Sequence, residues 1–173
     1  MTMHEPGSAA TAIIIVDHGS RRAESNRMLQ RTAERFAADS KYQIIEPAHM
    51  ELAEPSIAVA FDRCVQRGAK RVIVFPYFLS PGRHWTEDIP ALVAAAAKKH
   101  AGIEWLVTAP FGLHPDINAI ITDRIEGCLQ NASAKSDHQS ATGCDICAGA
   151  AGCEFVTEER IEQMPQQTPP GHG

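Results

Sequence analysis

The fold of this chain is decided by the stretch Ala12-Ile13-Ile14-Ile15-Val16, which is followed at once by Asp17-His18-Gly19-Ser20-Arg21-Arg22. A continuous apolar run rich in β-branched residues is typical of a strand that is buried on both faces of a parallel sheet. The polar residues behind it predict a loop at the carboxyl end of that strand. Residues from about 23 to 39 then carry apolar side chains at helical spacing and predict a helix.

The same alternation of strand and helix recurs three more times along the chain. Further strands are predicted at residues 43–49, 71–75 and 103–108. Helices are predicted behind the N-caps Ser56 and Thr86 and from Pro115 onward. In the last helix the residues expected to face inward are Ile117, Ile121, Ile125 and Cys128. The order βαβαβαβα predicts an α/β fold, a flavodoxin-like four-stranded parallel sheet with helices on both faces.

Charge and composition divide the chain into three parts. Residues 1–11 form an N-terminal extension, residues 12–130 the predicted domain, and residues 131–173 an acidic tail. Residues 1–130 hold 14 Lys and Arg against 15 Asp and Glu, whereas the tail holds 2 against 6. Apolar periodicity stops near residue 130, which is why the boundary is placed there. The tail is rich in small residues, Gln and Pro, so we expect it to be flexible.

Several classes of protein are disfavoured by the same composition. No basic stripe or arginine-rich segment indicates nucleic-acid binding. No apolar run approaches the roughly 20 residues of a membrane helix, and the first residues do not resemble a secretory signal. We therefore expect a cytoplasmic protein. The loop after the first strand contains neither a P-loop nor a G-x-G-x-x-G pattern, so nucleotide binding has no support.

Histidines follow all four predicted strands. Open parallel sheets bind ligands beyond the carboxyl ends of their strands, near the point where the strand order reverses. The histidines at this edge are His18, His49, His84 and His114. The loops after the first and third strands flank the reversal point, which favours His18 and His84 as a functional pair. Neutral imidazole binds divalent transition metals and acts as a base near neutral pH. For His49 and His114, functional and structural roles both remain open.

Charged residues accompany these histidines. Glu51, behind the second strand, is a candidate for guiding a metal ion, whereas Glu87 and Asp88 suit the first turn of a helix. Arg21 and Arg83 lie beside the histidine pair in sequence. These arginines are either solvated surface charges or a clamp for an anionic ligand.

Four short motifs, taken together and in order, resemble one known family. They are His18-Gly-Ser-Arg21, Met50-Glu-Leu-Ala-Glu-Pro-Ser56, Pro76-Tyr-Phe-Leu-Ser-Pro-Gly-Arg-His84 leading to Asp88-Ile-Pro90, and Ala109-Pro-Phe-Gly-Leu-His-Pro115. This set is similar to the small sirohydrochlorin chelatases of the CbiX/SirB type, the class II chelatases. The match covers residues 12 to about 130. Each motif alone is short, but four in register are fairly specific.

The resemblance implies an enzyme, a lyase that places a divalent metal ion into sirohydrochlorin. It implies that His18 and His84 are the catalytic and metal-binding residues, and we expect Glu51 to join them at the metal ion. The residues expected to hold the polycarboxylate substrate are Ser20, Arg21 and Arg83. The resemblance also implies a half domain that faces a second half across the tetrapyrrole, and therefore a homodimer.

The physiological metal is left open by the residues. We expect Fe²⁺, for siroheme synthesis, with Co²⁺ for cobalamin biosynthesis as the alternative and Ni²⁺ as a third metal used within the family. Histidines of this kind accept Co²⁺ as readily as Fe²⁺. A non-catalytic carrier of metal or tetrapyrrole is an alternative of another class. A carrier needs ligands but no proton acceptor, and turnover separates the two. No organic cofactor is required.

Three of the five cysteines cluster in the tail. Cys144, Cys147 and Cys153 give the spacing C-x2-C-x5-C. Thiolates of this kind select zinc or an iron–sulfur cluster. A fourth ligand is missing from the set, and His138 or a cysteine of a second chain could supply it. The tail resembles the cysteine-bearing C-terminus of the plant ferrochelatases of this family, which is associated with an iron–sulfur cluster. Reduced, unligated thiols are the alternative.

Overall fold

A computed structural model describes residues 10–136 and contains one four-stranded sheet. Its strands are β1 (Thr11–Asp17), β2 (Ile44–His49), β3 (Arg71–Pro76) and β4 (Glu104–Val107). All three pairings are parallel, and the strand order is β2-β1-β3-β4. The predicted flavodoxin-like sheet is therefore confirmed, with β1 in an inner position and the strand order reversing between β1 and β3.

Four α-helices alternate with these strands. They are α1 (Ala23–Asp39), α2 (Ile57–Gln66), α3 (Ile89–Ala97) and α4 (Asp116–Ser136). Ser56 caps α2 as predicted, because its hydroxyl oxygen accepts from the backbone N–H of Val59 at 3.5 Å. Among residues 10–136 no helix is long and apolar enough to cross a membrane.

The helix behind β3 begins earlier than predicted. A π-helical turn over His84–Asp88 leads directly into α3. The prediction that Thr86 is an N-cap is wrong, because its hydroxyl donates back to the carbonyl of Gly82 at 3.3 Å. The indole N–H of Trp85 also donates to the carbonyl of Thr108 at 2.8 Å, which ties this turn to the residue after β4. His84 therefore belongs to a helical turn, and its side chain shares a face with residues four positions later.

The core lies on both faces of β1. Alternate side chains of a strand point to opposite faces of its sheet. Ile14 and Val16 join the larger cluster, which includes α2 and α3, whereas Ile13 and Ile15 pack with Leu29 of α1. The uninterrupted apolar run of residues 12–16 thus supplies two separate cores, as expected of a strand covered on both sides.

One buried cysteine belongs to this core. Cys64 on α2 is fully buried, and its burial raises the pKa of the thiol to about 12. The nearby Glu46 acts in the same direction, and Arg67 opposes it. A thiol in this state is neither a nucleophile nor a metal ligand at neutral pH. Cys64 is therefore a packing residue.

Helix α4 differs from its prediction. The chain divides into two compact units between His114 and Pro115, and α4 belongs to the second. Ile117 is half-buried, but Ile121, Ile125 and Cys128 are exposed, so their predicted inward orientation is wrong. Helical periodicity identified the apolar face of α4 but not whether that face is covered. The predicted domain boundary at residue 130 falls within α4, and the division of the chain there stays a prediction.

Candidate functional site

The two histidines favoured by the sequence lie together at the carboxyl edge of the sheet. His18 follows β1, and His84 opens the π-helical turn behind β3. Their ring centroids are 5.4 Å apart, and the ring planes meet at 65°. Both side chains are about half exposed, at 43% for His18 and 46% for His84. Two neighbouring, half-exposed imidazoles can share a metal ion or divide proton transfer between them.

Glu51 joins this pair from the loop after β2. Its Oε2 lies 3.8 Å from Nε2 of His18. Among residues 10–136 there is no group of three His, Cys, Asp or Glu side chains that are close enough together to hold a metal ion as they stand. The half-exposed side chains of His18, Glu51 and His84 would have to rotate to hold an ion in common. The site therefore offers two nitrogens and one carboxylate without a fully formed metal cage.

His84 is oriented by an acid on its own helical turn. Its Nδ1 lies 2.8 Å from Oδ2 of Asp88, four residues later. A hydrogen bond at Nδ1 fixes the ring and leaves Nε2 for a ligand or a proton. From the sequence, Asp88 was expected only to suit the first turn of a helix, where an acid interacts favourably with the helix dipole. The four-residue spacing from His84 to Asp88 was the available signal, but it is informative only if the helix begins at His84.

The turn that carries His18 is held by its own polar atoms. Gly19 has a φ of +82°, a conformation that glycine adopts without strain, and its N–H donates to Oδ1 of Asp17 at 2.9 Å. The N–H of Ser20 donates to Oδ1 of Asn26, and the hydroxyl oxygen of Ser20 accepts from the N–H of Arg22. Ser20, a predicted substrate ligand, is thus engaged in shaping the loop.

The two arginines of the predicted anion clamp differ in their surroundings. Arg21 is exposed, and within residues 10–136 its side chain has no ion-pair partner. Arg83 lies 3.3 Å from Glu87 and 3.9 Å from Asp88. An incoming carboxylate would compete with these acids for Arg83 but not for Arg21. Arg21 is the better placed of the two for an anionic ligand.

The remaining edge histidines lie in opposite environments. His49 is 3% exposed and points its Nδ1 at Asp17. His114 lies at the end of the loop after β4 and is exposed. The sequence left both roles open, and the structure removes His49 from direct contact with a large ligand. The tail residues Cys144, Cys147 and Cys153 lie outside the described residues.

Large, exposed apolar side chains stand on the loops at the same edge of the sheet as the histidine pair, and the sequence did not reveal them as a group. They stand on the loops after β2, β3 and β4, and they are Leu52, Tyr77, Leu79 and Leu113, with exposures from 39% to 102%. An open cleft of about 550 Å³ adjoins Glu51 and Leu52. Exposed apolar residues that cluster around polar groups mark a surface for a ligand or another protein. Only their shared position at one edge of the sheet, which the topology supplies, reveals them as a group.

Comparisons with known proteins identify the family of this chain. A family model described as CbiX matches residues 12–128. The sirohydrochlorin ferrochelatase of Arabidopsis thaliana, described as chloroplastic, is 53% identical over 146 residues, which are 84% of this chain and 63% of that protein. The sirohydrochlorin cobaltochelatase of Methanocaldococcus jannaschii is 39% identical over 89 residues, 51% of this chain and 62% of the archaeal protein. This chain covers less than two thirds of either relative.

A solved structure extends the comparison to three dimensions. It is the sirohydrochlorin chelatase SirB from Bacillus subtilis subspecies spizizenii in complex with cobalt, with a TM-score of 0.58 and 26% sequence identity. The superposition covers 74% of this chain and 50% of that one. The resemblance drawn from the four motifs is confirmed by the family match over residues 12–128.

Replacing Gly19 should damage the site and the fold together. A Cβ at this position would collide with the carbonyl oxygen of Glu51 and lie 3.1 Å from Cβ of His49, and the φ of +82° disfavours any side chain. We expect Gly19→Ala to lower the free energy of unfolding by about 1–3 kcal/mol. Urea denaturation followed by circular dichroism measures the change.

Gly82→Ala is the matched control for this substitution. Gly82 also lies in a loop at the carboxyl edge, but a Cβ there meets nothing within 4 Å and its φ is not in the left-handed region. The free energy of unfolding of the Gly82→Ala variant should stay within about 0.5 kcal/mol of the native value. Equal effects of the two substitutions would contradict the steric account of Gly19.

Proposed function

The chain belongs to the CbiX family, and from that premise we propose that it is a sirohydrochlorin chelatase, which inserts a divalent metal ion into the tetrapyrrole. The observation that carries the proposal is the pair of neighbouring imidazoles, His18 and His84, with their ring centroids 5.4 Å apart at the carboxyl edge of the sheet. Glu51 adds a carboxylate on the His18 side. These are the residues expected from the four motifs.

The chemistry of insertion matches these side chains. Two pyrrole nitrogens must lose their protons, and the metal ion must exchange its water for the ring nitrogens. An imidazole can take a proton near neutral pH, and a second one can hold the arriving ion. The hydrogen bond from His84 to Asp88 leaves Nε2 of His84 directed away from that acid. Either histidine can serve as the base, and the assignment between them is left open.

The metal ion is a substrate of this reaction, so the site must release it. A permanent metal site closes its ligands around the ion and supports them with buried hydrogen bonds. Here His18, Glu51 and His84 are about half exposed, and they do not form a complete cage. Weak, adjustable ligation of this kind supports transfer of the ion to a competing macrocycle over its retention.

The surroundings of the histidine pair suit a flat polycarboxylate. Arg21 is exposed and has no ion-pair partner in residues 10–136, so it can bind a peripheral carboxylate of sirohydrochlorin. Arg83 can do so after leaving Glu87, and Ser20 contributes through the shape of its loop. Leu52, an apolar neighbour of Glu51, offers contact to the face of the ring.

We propose Fe²⁺ as the physiological metal, with Co²⁺ as the second candidate. The ferrochelatase relative is 53% identical to this chain, and the cobaltochelatase relative is 39% identical over a shorter stretch. The solved SirB structure is a complex with cobalt. The same two nitrogens and one carboxylate suit either ion. The predicted cytoplasmic location stays a prediction; the name of the plant relative places that protein in the chloroplast.

We expect His18→Ala and His84→Ala each to lower kcat for metal insertion about 10²–10⁴-fold, because each removes a group that transfers protons or holds the ion. Both histidines are half exposed, so the fold should remain intact by circular dichroism. The measurement is anaerobic spectrophotometry of the purified chain with sirohydrochlorin and Fe²⁺, Co²⁺ or Ni²⁺ in turn. Binding of sirohydrochlorin without turnover with any of the three would indicate a carrier.

Arg21→Ala is the control for this experiment. It removes a charge three residues after His18 but no group that handles protons or metal. We expect a higher KM for sirohydrochlorin with kcat close to that of the native chain. An unchanged KM would remove Arg21 from the substrate-binding residues, and near-normal kcat in both histidine variants would contradict the site itself.

We also propose that the active form is a homodimer whose two sites face each other across the ring. One sheet edge with half-exposed histidines and apolar side chains covers only one face of a flat macrocycle. Light scattering at micromolar concentration should give about twice the chain mass of 18.8 kDa. A monomer with full insertion activity would contradict this arrangement.

The tail cysteines carry a separate proposal, that Cys144, Cys147 and Cys153 bind an iron–sulfur cluster or zinc. Protein purified without oxygen should contain stoichiometric iron with visible absorption, or zinc, by elemental analysis. Cys144→Ser should abolish the bound metal, and Cys128→Ser, which changes an exposed thiol on α4, should keep it. Metal-free native protein would leave these cysteines as unligated thiols.

A further inference from the structure

A buried histidine stands beneath the proposed metal site without a role in the chemistry above. His49 ends β2 and is 3% exposed. In the parallel register its partner on β1 is Asp17, and the two side chains meet with His49 Nδ1 2.5 Å from Asp17 Oδ1. The side chain of Asp17 is 26% exposed. At 3% exposure His49 offers almost no surface to sirohydrochlorin, and Asp17 is hydrogen-bonded to His49 and to Gly19. The contribution of this pair to the reaction therefore passes through its neighbours.

The first neighbour is the turn that carries His18. The same oxygen of Asp17, Oδ1, accepts a second hydrogen bond from the backbone N–H of Gly19 at 2.9 Å. One carboxylate oxygen therefore holds both the His49 ring and the peptide that follows His18. With two donors in place, this carboxylate has little freedom to rotate.

The second neighbour is the backbone on either side of Glu51. The N–H of Met50 donates to the carbonyl of Asp17 at 2.8 Å, and the N–H of Glu51 donates to the carbonyl of His18 at 3.1 Å. Gly19 lies so close to this segment that a Cβ there would collide with the carbonyl oxygen of Glu51. The backbones that carry His18 and Glu51 are thus in direct contact.

We propose that Asp17 and His49 form a positioning pair, which fixes the loops of His18 and Glu51 at the spacing that the incoming metal ion requires. The inference rests on the proposed function, since it names the support of that same site. His49 packs beneath Gly19, with its Cβ 3.1 Å from where a Cβ would stand. Loss of the ring would leave Asp17 with the N–H of Gly19 as its remaining donor, and the turn that carries His18 would be held less firmly.

This support differs from the one that holds His84. Asp88 binds the ring of His84 directly and acts on a single side chain. The Asp17–His49 pair contacts neither proposed ligand ring and instead holds the two backbone segments together. Removing a residue that orients metal ligands costs about 10–100-fold in metal affinity or activity. The effect should therefore appear in the binding of the ion more than in the binding of the tetrapyrrole.

The test compares two substitutions of His49 in the full chain. The amide nitrogen of Asn stands close to the position of Nδ1, so His49→Asn can still donate to Asp17, whereas His49→Leu fills similar space without a donor. For His49→Leu we expect the Kd for Co²⁺ and the KM for the metal ion to rise about 10–100-fold. The visible absorption of bound Co²⁺ should change, and the KM for sirohydrochlorin should not. His49→Asn should recover both metal constants to within a few-fold.

A second histidine–aspartate pair supplies the matched control. His100 Nε2 lies 2.6 Å from Asp62 Oδ1, and the ring stacks on Phe61 with centroids 5.8 Å apart. His100 precedes β4 and therefore lies at the end of the sheet where the strands begin, away from the carboxyl edge that carries the site. His100→Leu should lower the free energy of unfolding while leaving the Co²⁺ spectrum and both metal constants unchanged.

The outcomes separate this inference from the proposed function. Native Co²⁺ affinity and spectrum in His49→Leu, or equal losses in His49→Leu and His49→Asn, would overturn the positioning pair while His18→Ala still showed that the site binds metal. Co²⁺ binding that is unaffected by His18→Ala would overturn both proposals. Should His49→Leu fail to fold, Asp17→Ala carries the same test, because it removes the shared acceptor at a partly exposed strand end. Unchanged metal constants in a folded Asp17→Ala chain would overturn the pair.

Discussion

Hydrogen-bond ladders on both edges of β1 determine where each functional loop leaves the sheet. The register with β2 aligns Asp17 with His49, and the register with β3 aligns Val16 with Pro76. The three strands β1, β2 and β3 therefore end at nearly the same height of the sheet. The loops that follow have to lie beside one another, and their polar residues meet over the end of β1. The candidate site is a consequence of this alignment, which the apolar side chains of β1 stabilise from both faces.

The proposed ligands stand on supports of two different kinds. His84 depends on helical geometry, because its partner Asp88 is four residues away on the same turn. His18 and Glu51 depend on strand geometry, because their backbones are bonded to each other across neighbouring loops. The indole hydrogen bond of Trp85 to Thr108 connects the helical support to the sheet. A metal ion shared by all three side chains would therefore bridge two independently anchored parts of the site.

Most of the fold could be predicted because the signals were local. The apolar run of β1, the cap at Ser56 and the alternation of strands and helices each depend on a few neighbouring residues, and the topology rules supplied the rest. The pairing of His18 with His84 followed from the strand order.

The start of the helix at His84 could not be predicted, since the turn is fixed in part by the contact of Trp85 with residue 108. The burial of His49 could not be predicted either, because it depends on tertiary packing. The local sequence of a histidine at a strand end is the same whether its side chain is covered or exposed. For α4, periodicity identified the apolar stripe of Ile121 and Ile125 but could not tell that it would be exposed.

Because the side chains of β1 alternate strictly between two cores, the length of this strand is more constrained than its composition. Exchanges among Ile, Val and Leu at positions 13 to 16 conserve the apolar character of both faces. Insertion or deletion of one codon within residues 11–17 would exchange the two faces, since each following side chain moves to the opposite side. Asp17 would then no longer stand beside His49, and His18 would leave the sheet one residue out of step with Glu51. The apolar residues of this short segment can therefore be exchanged for one another, but its length is fixed.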